Sequence, residues 1–330
     1  FRRTYMSKKK KIVISIIALI IVLIVGALGF VGNYFFEYAL LRQEGIVTAA
    51  NVDPNAPESV ETMAEVANKE KSREEVDKWL DDVKTEEATI ESEDGLKLWG
   101  KIYFQEKKTD KWVIIAHGYT SSHEDIQPIA LNFYNQGYNV LTPDMRAHGN
   151  SEGKFIGMGW LDRKDMLKWI NYVVERDANS QVVLYGESMG GATVMMVSGE
   201  ELPTNVKAIV EDCGYTSVWE MFEAQLYERF ELPSFPILNA AKAVTQIRAK
   251  YDISKASALE QVKKSTTPML FTHGGDDTYV PTEMIYRLYE AATCEKDMLV
   301  IDGAGHGAAP DVDPETYYEK VFSFLSKYVK

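Results

Sequence analysis

The chain has 330 residues, of which 45% are hydrophobic, 36 are lysine or arginine and 49 are aspartate or glutamate. This length is enough to bury one large core. Its two cysteines, Cys213 and Cys294, are too few for a disulfide scaffold and match no zinc-binding spacing, and the sequence leaves open whether they are bonded to each other. Residues 1–11 hold six basic and no acidic residues, so the remainder carries a net charge of −19. This charge repels nucleic acid, which is therefore not an expected partner.

Residues 12–36 are an uncharged, apolar segment that begins directly after the basic residues. At about 1.5 Å per helical residue, the segment is long enough to cross a hydrocarbon core of roughly 30 Å. A cleaved signal peptide is the alternative, but its apolar core is usually only about 7 to 15 residues long. We therefore predict a single-pass anchor in the cell membrane, with residues 1–11 as a cytoplasmic tail and the rest of the chain extracytoplasmic.

Residues 37–86 are polar, contain Pro54 and Pro57, and then show a weak helical periodicity. This pattern predicts a stalk, or a helix that packs on the domain that follows. The pattern changes near residue 87, so we place a catalytic domain at residues 87–330.

Apolar, β-rich runs alternate with helical patterns through this domain. The alternation predicts an α/β fold with a mostly parallel sheet, helices on both faces, and antiparallel first strands. Ligands of such sheets bind beyond the carboxyl ends of the strands. The residues that follow the runs are therefore candidates for a site: His117, Asp144, Ser188, Asp212, Asp276, Asp277 and His306.

The pentapeptide GESMG, Gly186 to Gly190, lies between a β-rich run and a helical pattern. It matches the GxSxG nucleophile elbow, a sharp strand-to-helix turn that exposes the serine Oγ above the sheet. A serine that only caps the helix is the alternative. The context before and after the motif favours Ser188 as a nucleophile.

A serine hydroxyl needs a base that is held by a third group. Of the five histidines, only His306 follows the last predicted strand and comes after the candidate acids, in the chain order serine, acid, histidine. Asp276 and Asp277 both precede it in the stretch HGGDDTYVP. The residues alone do not choose between these two acids.

The set AHGYTSS, DMRAHGNSEG, GESMGG, HGGDDTYVP and GAGH resembles the α/β-hydrolase superfamily. It is most similar to membrane-anchored bacterial serine hydrolases allied to the cinnamoyl or feruloyl esterases and to the serine-aminopeptidase-like branch. The resemblance implies the α/β-hydrolase fold and places the acid at Asp277, four residues beyond His273. Asp212 occupies a position where some members of the superfamily carry the acid.

The oxyanion of a tetrahedral intermediate requires preorganised donors. The backbone N–H of Met189, directly after Ser188, is one expected donor, and the resemblance implies the N–H of Tyr119 as the second. Asp144, Arg146 and His148 are interpreted as structural residues around the site. No cofactor is implied, and no metal site is expected because no compact ligand motif is present.

About 55 residues separate Asp212 from Pro268, and they form helical segments broken by prolines. We predict a cap at about residues 214–265 that lies over the strand ends and shapes an apolar pocket. The expected pocket residues are Tyr119, Phe230, Phe235 and Leu238, although most apolar residues of the cap would form only its own core.

These features together predict a serine hydrolase, and a carboxylesterase of small to medium acyl or aryl esters in particular. A peptidase or amidase would share every motif, and an acyltransferase would differ only by admitting an alcohol in place of water. A non-catalytic surface binding protein would have no need of an intact triad. The expected partners are a small ester or amide substrate and, through the N-terminal helix, the membrane.

Overall fold

The computed structural model describes residues 8–42 and 62–330. The strands are β1 (Lys84–Glu91), β2 (Lys97–Phe104), β3 (Lys111–Ala116), β4 (Asn139–Pro143), β5 (Gln181–Glu187), β6 (Val206–Asp212), β7 (Met269–Gly274) and β8 (Lys296–Ile301). The helices are α1 (Lys8–Leu40), α2 (Met63–Asp82), α3 (Gln127–Asn135), α4 (Asp162–Arg176), α5 (Met189–Val197), α6 (Val218–Phe230), α7 (Ser234–Arg248), α8 (Ala258–Val262), α9 (Glu283–Ala291), α10 (Ala309–Val312) and α11 (Pro314–Leu325).

The strands form one sheet in the order β1-β2-β4-β3-β5-β6-β7-β8. β1 pairs with β2, and β2 with β4, in antiparallel register, whereas the pairs from β4 to β8 are parallel. This confirms the predicted mostly parallel sheet with antiparallel first strands. The carboxyl ends of β3 and β5 to β8 therefore lie at one edge, where the candidate residues follow them.

The central strands are hydrophobic along their whole length because helices cover both faces. On β3, Trp112 and Ile114 pack toward α4, α5 and α9, while Val113 and Ile115 pack toward α3 and α11. Successive side chains of a strand point to opposite faces, so one short run contributes to two cores.

The segment predicted as a stalk, residues 37–86, is divided among several elements. Residues 43–61, with Pro54 and Pro57, lie outside the described residues. Helix α2 packs on the domain, because Trp79 stacks on Tyr103 at 4.6 Å between ring centroids and Asn68 Nδ2 donates a 2.8 Å hydrogen bond to the Asp311 carbonyl. Strand β1 begins at residue 84, before the predicted domain start, and continues the sheet at its antiparallel edge.

Helix α1 is long and apolar enough to cross a membrane, by length and composition, and its most apolar window is not buried by protein. A signal sequence would meet the same criteria. The helix continues past the predicted boundary at residue 36, and its last turns pack on the domain, where Phe36 and Leu40 are almost completely buried. The Leu40 carbonyl then accepts a 2.8 Å hydrogen bond from the Ile156 N–H.

Candidate active site

Ser188 forms a strained turn between β5 and α5. Its φ of 55° and ψ of −113° lie outside the regions that ordinary residues favour. Gly186 and Gly190 flank it because a Cβ at Gly186 would collide with the Gly190 backbone, and one at Gly190 with the carbonyl of Ala116 on β3. The Ser188 N–H donates a 2.8 Å hydrogen bond to the Asp212 carbonyl, which fixes the turn above the sheet.

Three side chains from three strand ends form one chain of hydrogen bonds. Ser188 Oγ lies 2.8 Å from His306 Nε2, and His306 Nδ1 lies 2.7 Å from Asp277 Oδ2. His306 follows β8 and Asp277 follows β7, so the parallel sheet brings together residues that are far apart in sequence. Ser188 is only 7% exposed, so access to its hydroxyl is narrow.

Asp277 is held as a carboxylate. Burial opposes its charge, but hydrogen bonds from His273 and His306 more than offset that cost and lower its pKa to about 2. Its Oδ1 accepts the N–H groups of Tyr279 and Val280 at 3.0 and 2.9 Å. A carboxylate fixed by four donors orients the imidazole of His306 and opposes the positive charge that it would gain.

The other two candidate acids do not reach His306. Asp212 is buried and its carboxylate accepts hydrogen bonds from Thr272, Tyr317 and Tyr185 at 2.9, 2.9 and 3.2 Å. Asp276 is exposed, and its N–H donates to the Ala304 carbonyl. The structure thus places Asp277, the acid implied by the resemblance, next to the histidine.

The two expected oxyanion donors belong to two segments that meet at the serine. Met189 is the first residue of α5, so its N–H has no partner within the helix. Tyr119 follows Gly118, where a Cβ would lie 3.5 Å from Ser188 Cβ. Among the described residues, neither the Tyr119 N–H nor the Met189 N–H donates a hydrogen bond to a loop or turn.

Relatives of the chain agree with this architecture. Residues 107–251 match the family model described as serine aminopeptidase, S33. YqkD of Bacillus subtilis is 28% identical over 218 residues, which cover 66% of this chain and 72% of that protein. A thermostable monoacylglycerol lipase of a Bacillus species is 21% identical over 249 residues, 66% of this chain and 90% of the lipase. The Pyrococcus furiosus esterase PF2001 superposes with a TM-score of 0.63 at 22% identity, over 78% of this chain and 94% of the esterase.

The chain has the α/β-hydrolase fold. The resemblance carried by the motifs is thereby confirmed for the fold, and the match of residues 107–251 agrees with the serine-aminopeptidase-like branch.

One residue of this α/β-hydrolase has a role that sequence reasoning missed. His117 Nδ1 lies 2.8 Å from the Gly118 carbonyl, and its Nε2 accepts the Met145 N–H at 2.9 Å. Nδ1 therefore carries the proton, and burial lowers the pKa of the imidazole so that it stays neutral. The Gly118 carbonyl and the Tyr119 N–H belong to one planar peptide and point in opposite directions. By holding the carbonyl, His117 directs the Tyr119 N–H the other way. Its position before glycine at a strand end was the available signal.

The residues interpreted as structural support the same loops of the hydrolase. Asp144 Oδ1 accepts the His123 N–H at 2.8 Å, and His148 Nε2 accepts the Thr120 N–H at 3.2 Å. Arg146 is buried and pairs with Asp165 at 2.7 Å. None of these three predicted structural residues contacts Ser188 in the described hydrogen-bond network.

Only part of the predicted pocket is assembled. Phe230 lies at the end of α6 and packs against Phe35 of α1 at 5.2 Å between ring centroids. The Tyr119 hydroxyl donates a 2.9 Å hydrogen bond to the Ala39 carbonyl, and Leu238 is buried in α7. Phe235 was expected to line the pocket, but the residue is 74% exposed, and its extended backbone angles interrupt the start of α7.

Metal ligation at this site would compete with the triad. Cys213, Asp277 and His306 place ligand atoms within 4.8 Å of one another, which is the one such cluster in the described part of the chain. Asp277 and His306 already bond to each other there. Burial raises the pKa of Cys213 well above its usual range, which opposes the thiolate that a metal needs. Cys213 and Cys294 are both free thiols.

Proposed function

We propose that the chain is a serine carboxylesterase that uses Ser188, His306 and Asp277. The observation that carries this proposal is the unbroken hydrogen-bond chain from Ser188 Oγ through His306 to Asp277, at a strained turn between β5 and α5. A plain turn serine would need neither the strain nor the buried acid.

The geometry suits acyl transfer in two steps. His306 Nε2 removes the Ser188 proton as Oγ attacks the ester carbonyl carbon, and the carbonyl electron pair moves onto oxygen, where the Tyr119 and Met189 N–H groups stabilise it. The intermediate collapses, and the leaving alcohol oxygen takes the proton from His306. Water then repeats the sequence on the acyl-enzyme, and the carboxylic acid leaves with Ser188 regenerated. Asp277 stays ionised throughout and stabilises the imidazolium.

An aminopeptidase on the same triad is the second candidate, since residues 107–251 match a serine aminopeptidase model. Such an enzyme needs a carboxylate for the substrate ammonium. Glu187 is half-buried, its carboxyl would lie 3.7 Å from a Cβ at Gly118, and burial raises its pKa to about 8. The raised pKa disfavours the ionised carboxylate that a substrate ammonium requires, so the esterase stays the first proposal.

The test compares full-length wild type with Ser188→Ala in detergent, for fluorophosphonate labelling and for hydrolysis of p-nitrophenyl butyrate and an aminoacyl p-nitroanilide. If the chain is an esterase, we expect wild type to be labelled and to hydrolyse the butyrate ester, with little hydrolysis of the anilide. Labelling and butyrate hydrolysis should both disappear in Ser188→Ala. Preferred anilide hydrolysis would favour the peptidase. If folded wild type is neither labelled nor active on either substrate, a non-catalytic binding protein becomes the better interpretation. If the acyl group is transferred to added alcohol faster than to water, the chain is an acyltransferase.

We also propose that α1 is a retained anchor with the hydrolase domain extracytoplasmic. The basic residues before it support this orientation, and the packing of Phe36 and Leu40 into the domain supports retention. Protease added to intact cells should digest the domain while a tag at the N-terminus stays protected. Full-length chain released into the medium would contradict the proposal.

A further inference from the structure

The last turns of α1 and helix α7 run side by side in the same direction. Gly32 lies against Ala240, so closely that a Cβ on the glycine would come within 2.6 Å of the Ala240 backbone. Farther along both helices, Arg248 Nη1 donates 2.6 Å hydrogen bonds to Asn33 Oδ1 and Glu37 Oε1. Contacts that advance along both helices in the same sense define a parallel pair. The beginning of α7 therefore points back along α1, toward its apolar segment.

This direction sets the depth of the beginning of α7. Pro236 precedes Ala240 by four residues, roughly 6 Å of helix. Phe235 is the non-helical residue before Pro236, so it lies near the level of Ala27 on α1. When residues 12–32 cross a hydrocarbon core of roughly 30 Å, the level of Ala27 lies inside that core. Phe235 is nevertheless 74% exposed. The described residues therefore leave the apolar surface of Phe235 uncovered at a depth where lipid would surround it.

Composition changes at the same place. The ten residues Leu232–Ala241, here called the cap tip, contain no charged side chain, and Glu231 and Lys242 flank them. Three exposed tyrosines belong to the helices next to the cap tip: Tyr34 and Tyr38 of α1, and Tyr227 of α6. Tyrosine is enriched where a membrane meets water. An uncharged tip with tyrosines above it is therefore suited to the outer interface of a bilayer, despite the net acidity of the domain.

A row of side chains connects α1 and the cap to the catalytic residues. The Tyr279 ring lies 4.8 Å from the His306 ring, and the Arg229 guanidinium lies 5.7 Å from the Tyr279 centroid. Arg229 Nη1 donates a 3.2 Å hydrogen bond to the Tyr38 hydroxyl, and Tyr38 packs on Phe230 at 5.4 Å between centroids. The cap side of the site thus borders the anchor helix.

We propose that the cap tip is inserted in the outer leaflet beside α1, and that the site takes long-chain acyl esters dissolved in the bilayer. The inference rests on the proposed esterase function and names its substrate class. The acyl chain would leave the Ser188 carbonyl site along the Phe230 and Tyr38 side and pass into lipid without crossing water. Soluble short-chain esters would react at the same triad without using the tip.

A depth measurement tests the insertion without relying on activity. Full-length protein carrying Cys294→Ser, with Cys213 buried, is given a nitroxide at Phe235→Cys and reconstituted in phosphatidylcholine vesicles. A matched label replaces Tyr286, an exposed aromatic on α9. If the cap tip is inserted, we expect the label at position 235 to be more accessible to oxygen than to a water-soluble nickel complex. The label at position 286 should show the reverse. Nickel accessibility at both positions would overturn the proposal.

A substrate comparison tests the ester class. Wild type, Phe235→Asp and Tyr286→Asp are assayed in the same vesicles against p-nitrophenyl butyrate in solution and monooleoylglycerol in the bilayer. Placing a charge in the apolar interface should lower bilayer-ester turnover about tenfold or more in Phe235→Asp. Butyrate turnover should stay within about twofold, as should both activities of Tyr286→Asp, because surface changes elsewhere are nearly neutral.

The outcomes distinguish the membrane-inserted cap tip and its substrate class from the proposed esterase activity. Equal turnover of the bilayer ester by Phe235→Asp and wild type would overturn the role of the tip while leaving the esterase intact. Butyrate hydrolysis by wild type without any bilayer-ester turnover would overturn the substrate class alone. If wild type hydrolyses neither ester, the esterase proposal and the substrate class fail together, and the nitroxide at position 235 still decides whether the tip is inserted.

Discussion

The Tyr119 hydroxyl donates a 2.9 Å hydrogen bond to the Ala39 carbonyl, at the end of the N-terminal helix and 80 residues earlier in the chain. The same residue follows Gly118, which packs against Ser188. One residue therefore links the last turn of α1 to the loop that would stabilise the oxyanion, and the two contributions can be separated by substitution.

Tyr119→Phe removes the hydroxyl and keeps the backbone N–H. We expect a loss of about 1 kcal/mol in the free energy of unfolding, since a hydrogen bond is worth roughly that amount. The kcat for p-nitrophenyl butyrate should fall less than about threefold, because main-chain donors do not depend on the side chain. Denaturant unfolding and steady-state kinetics in detergent measure the two. A kcat loss of about a hundredfold would show that the phenol itself acts in catalysis.

The choice of acid is tested by three carboxyl-to-amide changes. Asp277→Asn should lower kcat about 10³- to 10⁴-fold, because the imidazole would lose its orientation and its counter-charge. Asp276→Asn, one residue earlier and exposed, is the matched control and should stay near wild type. Asp212→Asn should reduce stability while the folded fraction retains activity, since its oxygens bond to Thr272 and Tyr317. Greater damage to kcat from Asp212→Asn than from Asp277→Asn would reverse the assignment.

The sequence was most informative where chemistry restricts single residues. The glycines around Ser188, and the order of Ser188, Asp277 and His306, follow from local turn geometry and from the arrangement of parallel strands. They predicted that Ser188 and His306 come together with an acid between them in the chain, whereas the choice of Asp277 over Asp276 came from the family resemblance. Sequence also predicted the sheet, because buried strands are apolar along their length.

Contacts between segments that are far apart in the chain leave no comparable pattern in the sequence, so they could not be predicted from it. Strand β1, with the sequence KTEEATIE, is too polar to read as a strand, yet it pairs along all of β2 and buries only Ala88. Phe235 looked like a pocket residue because it is aromatic, and only the direction of α7 against α1 shows where it lies. The role of His117 depends on which way one peptide faces, and composition carries no information on that.

The role of His117 is tested by comparing an asparagine and an alanine at this position. Asparagine places an N–H near the Nδ1 position and keeps the donor to the Gly118 carbonyl, whereas alanine keeps none. We expect His117→Ala to lower kcat about 10- to 100-fold with little change in KM, short of the roughly 10² to 10³ for losing an oxyanion donor outright. His117→Asn should recover part of the loss. Equal kcat in Asn and Ala variants, with equal losses of stability, would leave His117 a purely structural residue.

The packing of α1 on α7 is tested by two glycines of the same helix. Gly32→Leu must push α1 away from Ala240, whereas Gly29 has nothing within 4 Å of an added Cβ and provides the control. Overpacking of a close contact typically costs about 1 to 3 kcal/mol. We expect Gly32→Leu to lower the unfolding temperature of the full chain in detergent and to speed proteolysis within α6–α7, and Gly29→Leu to do neither. Identical behaviour of both variants would argue against the packed helix pair.

Glu211 makes stability depend on pH. Its carboxyl is buried, Oε2 accepts the Gly214 N–H at 3.0 Å, and Oε1 has no hydrogen-bond partner among the described residues. Burial raises its pKa from 4.5 to about 8, against the lowering effect of His273. A folded-state pKa above the unfolded value means that the stabilisation is complete below about pH 4.5 and is lost as pH rises through 8.

Glu211→Gln stays neutral at every pH, so its free energy of unfolding should fall less than that of wild type between pH 5 and 8. Each unit of pKa difference corresponds to about 1.4 kcal/mol, so the gap between the two curves should widen steadily across this window. Denaturant unfolding at unit pH steps measures it, with the exposed Glu201→Gln as the control that should parallel wild type. If Glu211→Gln also runs parallel to wild type, the carboxyl is already ionised near neutral pH, and His273 or water must pair with it in the folded protein.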